Sequence, residues 1–184
     1  MQVPDFLEFT EKYLAELGFS VERSVSFAHF GFGSDLCARK SGRSLLVFFP
    51  YEDFLFFYDF GRPDCSSADN LEAIHEKARG SVNSLYRMPR ALRYKVPNIV
   101  TVAVSGNGFP VDVQRYAAER KNSIIGGEKN SVFLVDLVNK RVVSQGLETT
   151  YSDMVAIRFD RVNPSNRAYH LVCDMAKELF SREG

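Results

Sequence analysis

Basic residues at regular spacing are the first feature of this sequence that suggests chemistry. Arg87, Arg90 and Arg93 recur at every third position, and Lys95 follows them. If the preceding helix continues past Met88-Pro89, the three arginines share one face and can bind the phosphates of a nucleic acid. The alternative is a solvated helix end, where cations are favoured by the negative pole of the helix dipole. These four residues are the candidate nucleic-acid contacts.

Other motifs that usually identify an enzyme are missing. The chain has no Walker loop, GxGxxG, HExxH or GxSxG motif. Its histidines, His29, His75 and His170, are far apart, and nothing in their spacing requires a zinc site. Gly126-Gly127 and Glu128 precede an apolar run, where they form either a small-molecule site or an ordinary hairpin loop or bulge.

Aromatic residues are concentrated in one part of the chain. There are 16 Phe and 8 Tyr, and eight of these lie between Phe48 and Phe60. The run Phe54–Tyr58 is more apolar than an alternating edge strand should expose, so either helices cover both of its faces or a second subunit does. We expect a homodimer through the Phe48–Phe60 region. Stacking of nucleic-acid bases on these rings would require that the rings be exposed beside cations.

The hydrophobic periods predict helices and strands in alternation. Predicted helices are Pro4–Leu17, Asn70–Tyr86, Pro110–Lys121 and Ser165–Phe180. Predicted strands are Phe19–Phe27, Asp35–Lys40, Ser44–Phe49, Asn98–Ser105, Ser131–Leu137, Arg141–Ser144 and Met154–Phe159. Ser41-Gly42 is predicted as a hairpin turn, and Tyr51–Phe60 as either an edge strand or an aromatic loop. This order predicts a single α/β domain over residues 1–184, with helices on both faces of a mixed sheet.

Composition limits the function classes. Lys+Arg and Asp+Glu balance at 23 each in 184 residues, which excludes a generally basic nucleic-acid-binding surface. No window approaches the roughly 18 apolar residues of a membrane helix, and the acidic, amphipathic start differs from a signal peptide. Three cysteines without a CxxC pair indicate reduced thiols. We therefore expect a cytoplasmic protein that does not insert into membranes.

One constellation suggests a family. The order helix, three strands, helix, strand over Pro4–Ser105, with Gly33-Ser34-Asp35 opening the second strand, resembles the core of the restriction-endonuclease-like, or PD-(D/E)XK, superfamily. In that family an Asp begins the second core strand, and an acidic residue and a Lys lie one residue apart on the third. The carboxylates hold a divalent metal, and the Lys helps to position or activate the attacking water. The resemblance places Asp35 at the family's first Asp.

The third predicted strand departs from the family pattern. Where Glu-x-Lys is expected, the chain reads Leu46-Val47-Phe48-Phe49, which offers neither a carboxylate nor an ammonium group. The groups that could substitute are Glu22, Lys40, Glu52 and Asp53. The resemblance thus implies a domain of endonuclease-like fold, non-catalytic or weakly active, that binds nucleic acid or a protein partner and requires no cofactor.

The alternative implied by the same resemblance is a metal-dependent nuclease with a rearranged site. Asp35, Lys40 and Glu52 would then be catalytic. Asp35 and Glu22 would hold Mg²⁺ or Mn²⁺, which prefer oxygen ligands. The two hypotheses differ in whether a carboxylate and a Lys from other segments converge on Asp35.

Overall fold

The computed structural model describes residues 1–43, 50–86, 96–120, 128–156 and 167–182. Within these ranges the chain forms five α-helices, seven β-strands and a 3-10 turn at Ala28–Phe30. In chain order the elements are α1 (Val3–Glu16), β1 (Ser20–Phe27), β2 (Phe32–Arg43), β3 (Pro50–Asp59), α2 (Ala68–Ser84), β4 (Val96–Ser105), α3 (Val111–Glu119), β5 (Lys129–Asp136), β6 (Arg141–Ser144), β7 (Leu147–Thr150), α4 (Tyr151–Ala156) and α5 (Arg167–Ser181).

The strands form one mixed sheet in which each strand lies beside its neighbours in sequence, from β1 to β7. Strands β1 to β3 form an antiparallel meander, β3 to β5 run parallel, and β5 to β7 are antiparallel again. The two parallel connections contain α2 and α3, because parallel neighbours need a crossover segment. The predicted α/β fold with a mixed sheet is confirmed.

Helices cover both faces of the sheet, also as predicted. Phe6 of α1 and Phe180 of α5 pack with Val102 of β4 in the core on one face. Ile74 of α2 and Ile99 of β4 share a core on the opposite face. Because successive strand residues point to opposite faces, β4 supplies apolar side chains to both layers.

Helix α2 borders the candidate site, and its sequence explains its bounds. Ser67 caps the helix, since its Oγ accepts the backbone N–H of Asn70 at 3.2 Å. Such a cap stabilises a helix by about 1 kcal/mol. Residues spaced by three and four form the stripe that faces the sheet. The buried residues of this helix are Leu71, Ile74, His75, Ala78, Ser81 and Val82.

The strand Pro50–Asp59 lies at the centre of the sheet, whereas the sequence predicted Tyr51–Phe60 as either an edge strand or an aromatic loop. Ser44–Phe49 lies outside the described residues, and the strand that pairs with both β2 and β4 is Pro50–Asp59. Pro50 is the first residue of this strand. Strand β2 also continues through Ser41-Gly42 to Arg43, so no hairpin turn forms at that dipeptide.

Part of the C-terminal region also differs from prediction. The predicted strand Met154–Phe159 was wrong over its described part, because Tyr151–Ala156 forms α4. Strand β7, which the pattern did not predict, pairs with β6 and forms one edge of the sheet. The other predicted helices and strands are present, with small shifts at their ends.

The aromatic run forms part of the core of this chain. Phe54, Phe56, Phe57 and Tyr58 are each at most 4% exposed. They alternate between the core under α2 and the core under α1 and α5. Cover from the chain's own helices therefore accounts for these rings. In the described part of the Phe48–Phe60 region, no exposed aromatic surface is left that would need a second subunit to cover it, which was the reason for predicting a homodimer.

Candidate functional site

Asp35 lies near the start of β2 and faces the same side of the sheet as α2. Its Oδ2 accepts the backbone N–H of Asp59 at 2.7 Å, and its Oδ1 accepts Nη1 of Arg62 at 2.9 Å. Arg62 also donates to Asp64, from Nε at 3.0 Å and Nη2 at 2.7 Å. The Asp35 and Arg62 side chains are 25% and 32% exposed. Both oxygens of Asp35 are thus engaged by groups of the chain itself.

Electrostatics keep the Arg62 guanidinium charged. The hydrogen bonds to Asp64, together with the charge of Asp35, raise the pKa of Arg62 above its already high value. Tyr58 lies beside this pair, and burial raises the pKa of its hydroxyl well above the usual range. That hydroxyl has no hydrogen-bond partner among the described residues. The group that stays positively charged next to Asp35 is thus the guanidinium of Arg62, and not a lysine ammonium.

The other predicted catalytic residues do not converge on Asp35. Lys40 is on the opposite face of the sheet, because it is an odd number of residues away along β2. Its Nζ donates to the carbonyl of Leu17 and lies 5.3 Å from the centre of the Phe19 ring. Glu52 pairs with Ser41 in the register of β2 and β3, six residues along β2 from Asp35. At about 3.3 Å per residue, that is roughly 20 Å away.

Glu52 belongs to a separate cluster, in which neighbouring side chains donate hydrogen bonds to both of its carboxylate oxygens. It is 3% exposed and accepts Arg39 Nε at 2.7 Å, Ser41 Oγ at 3.1 Å and Tyr86 OH at 2.6 Å. Burial alone raises the pKa of this carboxyl. The hydrogen bonds from Tyr86 and Arg39, with the charge of Arg39, more than offset that effect and hold the pKa below its usual value. Glu52 is an ionised structural carboxylate.

The remaining candidate carboxylates lie apart as well. Glu22 is exposed on β1, opposite Cys37. Asp53 is buried, and its Oδ1 accepts Nδ2 of Asn98 at 3.1 Å. Within the described ranges, no three His, Cys, Asp or Glu side chains are grouped to hold a metal ion. With Arg62 already against Asp35, this donor set does not fit Mg²⁺ or Mn²⁺.

Comparison with protein-family models, curated proteins and solved structures gives no match.

The glycine-loop prediction falls partly outside the described residues. Gly126-Gly127 is not described, and Glu128 is a buried residue directly before β5. Its Oε1 accepts Nε of Arg79 at 2.8 Å, and its Oε2 accepts Nδ2 of Asn83 at 2.8 Å. This network joins α2 to β5, and sequence reasoning missed it because its members are far apart in the chain. Glu128 acts as a structural anchor for α2.

The candidate nucleic-acid contacts Arg87, Arg90, Arg93 and Lys95 lie outside the described residues. Cys37, Cys65 and Cys173 are free thiols, as expected. None of the described helices is long and apolar enough to cross a membrane.

A groove lies on the α2 side of the first three strands, on the same face as Asp35. On β2, Leu36 and Ala38 are fully buried, whereas Cys37 is half-buried and Arg39 is exposed. The α2 side of this strand is therefore only partly covered. The resulting groove has a volume of about 440 Å³, within the range of small-ligand sites. It is lined by Ser20, Glu22, Val25, Phe27, Phe30, Cys37, Arg39, Ser41, Phe54, Phe56, Ser81, Val82, Ser84 and Leu85. We call it the β1–β3 groove.

Proposed function

We propose that the chain is a domain of endonuclease-like fold that binds nucleic acid and cleaves it weakly or not at all. The order α1, three antiparallel strands, α2 and a parallel fourth strand supports the endonuclease-like part of the proposal. Asp35 near the start of the second strand is consistent with it. The half-buried rings of Phe27 and Phe30, which line the β1–β3 groove together with Arg39, favour nucleic acid over a protein partner, because bases stack on accessible rings near cations.

The ion pair between Asp35 and Arg62 is the main observation that supports weak or absent cleavage. A hydrolytic site of this class needs a divalent ion beside the scissile phosphate and a cation near the attacking water. Here Arg62 lies against the carboxylate. The α2-facing side chains of β3 nearest to it are Phe56 and Tyr58. Neither supplies a metal ligand of the carboxylate class or an ammonium group.

A cleavage assay tests this proposal. Plasmid and single-stranded substrates are incubated with Mg²⁺ or Mn²⁺ and the wild type, Asp35→Asn or Asp112→Asn, the last being an exposed carboxylate on α3. We expect weak or no cleavage from all three proteins. Robust cleavage that disappears only in Asp35→Asn would overturn the proposal. Cleavage that survives Asp35→Asn indicates a contaminant or another site, with Glu128→Gln as the next variant.

The alternative function is a metal-dependent nuclease centred on Asp35. One observation favours it, since Asp64 shares Arg62 with Asp35, and both carboxylates are partly exposed. Displacement of Arg62 would leave two carboxylates next to each other. If this alternative holds, the wild type binds Mn²⁺ in a titration and Asp35→Asn does not. Under our proposal the two proteins behave alike.

A further inference from the structure

The β1–β3 groove has an aromatic floor with one prearranged cation. Phe27 stacks on Phe32 with ring centres 4.6 Å apart, and the edge of Phe56 meets Phe27 at 5.7 Å. Phe27 and Phe30 are only half-buried, so their rings contribute accessible surface to the groove. Partly exposed rings of this kind attract flat, apolar faces.

Arg39 is held in one orientation at this floor. Its Nε and Nη2 both donate to Oε1 of Glu52, at 2.7 and 2.5 Å, which fixes the plane of the guanidinium. Its Cζ lies 5.3 Å from the centre of the Phe54 ring. The side chain is nevertheless 55% exposed. More than half of the Arg39 side chain is therefore accessible to a planar group in the groove.

The charges of the groove select a neutral group. The charge of Arg39 is already balanced by Glu52, and Glu22 faces the same groove from β1. Glu22 pairs with Cys37, and Arg39 lies two residues further along β2, so the two side chains are diagonal neighbours on one face. A phosphate gains little at a site with this balance. A planar ring with N–H groups can stack on Arg39 and donate hydrogen bonds to the Glu22 carboxylate.

We propose that the β1–β3 groove binds one unpaired guanine of a single-stranded nucleic acid, with Arg39 and Phe30 as stacking surfaces and Glu22 as acceptor for the base edge. Guanine fits because its ring N–H and amino group lie side by side, where one carboxylate accepts from both. This inference rests on the proposed nucleic-acid function and adds the strand type, the base and the site.

Fluorescence polarisation with strands of about 12 nucleotides, a length within known site sizes, provides the test. One labelled thymidine strand carries a single central guanine, and its twin carries an abasic residue there, so both have the same charge. Because one base stacks in the groove, we expect the wild type to bind the guanine strand about tenfold more tightly, a difference of about 1.4 kcal/mol.

Variants assign the effect to the groove. Phe30→Ala should remove most of the difference between the two strands. Glu22→Gln, a change at an exposed position, should reduce the preference for central guanine over central adenine. Phe9→Ala is the matched control, because Phe9 also has an arginine over its ring, with Arg182 Cζ at 4.7 Å, on the opposite face of the sheet. It should leave both affinities unchanged.

The outcomes separate this inference from the function on which it rests. Equal binding of the two strands by the wild type overturns the guanine site and leaves nucleic-acid binding intact. A loss in Phe9→Ala as large as in Phe30→Ala overturns the site as well. If the wild type binds neither strand, both proposals are overturned, and a protein partner becomes the favoured occupant of the groove. Thermal unfolding monitored by circular dichroism confirms that each variant is folded.

Discussion

His75 is a single buried residue that makes the stability of the fold depend on pH. It is fully buried on α2, and its Nδ1 is 2.8 Å from Oγ1 of Thr101 on β4. Burial, reinforced by the charge of Arg120, lowers the pKa of His75 to about 3. In the unfolded chain a histidine titrates near 6.5. Below about pH 6.5 the unfolded state therefore binds a proton that the folded state excludes, and stability falls toward pH 3.

Urea unfolding at several pH values tests this coupling. Between about pH 6.5 and 4, we expect the free energy of unfolding of the wild type to fall more steeply than that of His75→Gln, by up to about 1.4 kcal/mol per pH unit. His29→Gln removes an exposed histidine and should keep the wild-type slope. If all three proteins show the same slope, the proposed burial of a neutral His75 is wrong.

Residue contacts were the least predictable level of this structure. The pair Asp35–Arg62 is separated by 27 positions, and Arg79–Glu128 by 49. Such pairs are brought together by the sheet order, and spacing in the sequence carries no signal of them. The sheet face on which a strand residue lies is easier to predict from the sequence. Lys40 is an odd number of residues from Asp35 along β2, so the two side chains point to opposite faces. That rule, applied to the candidate site, would have separated these two residues.

At the level of elements, Phe57 tests the reassignment of β3 to the centre of the sheet. Its ring is fully buried with the residues of α1 and α5. Phe57→Ala should cost about 3–5 kcal/mol in the free energy of unfolding. Val138→Ala, at a residue 59% exposed, should change it by less than about 0.5 kcal/mol. A wild-type stability that falls on dilution would show instead that a subunit contact contributes to the fold.

The elements that the sequence placed correctly have either an amphipathic stripe or a run of β-branched residues. The stripe on α1 and the β-branched run of β4 lie where the sequence placed them. Strand β3 has no alternation, because a central strand with helices on both faces is buried on both sides. Its first residue is Pro50, at a position where a strand tolerates proline. In α4, the packing of Met154 in the core outweighs the strand propensity of its apolar residues.

For the whole molecule, the balance of charge predicts how salt affects nucleic-acid binding. The formal net charge is zero, and the β1–β3 groove carries no uncompensated cation among the described residues. Binding by stacking releases few counterions, whereas each phosphate contact on a single strand adds about −0.7 to the slope of log K against log salt concentration. For the guanine-bearing strand we therefore expect a shallow slope, between zero and about −1.5.

Polarisation titrations across a series of salt concentrations measure that slope, and the abasic strand gives the contribution of the backbone alone. A slope of about −3 or steeper, equal for both strands, contradicts the prediction, because it requires several phosphate contacts. The basic residues between α2 and β4 would then be responsible. Charge reversal at Arg90 and Arg93 should weaken binding in that case, while Glu22→Gln should leave it nearly unchanged. Under the stacking model the order of these effects is reversed, so the same two sets of variants decide which surface holds the strand.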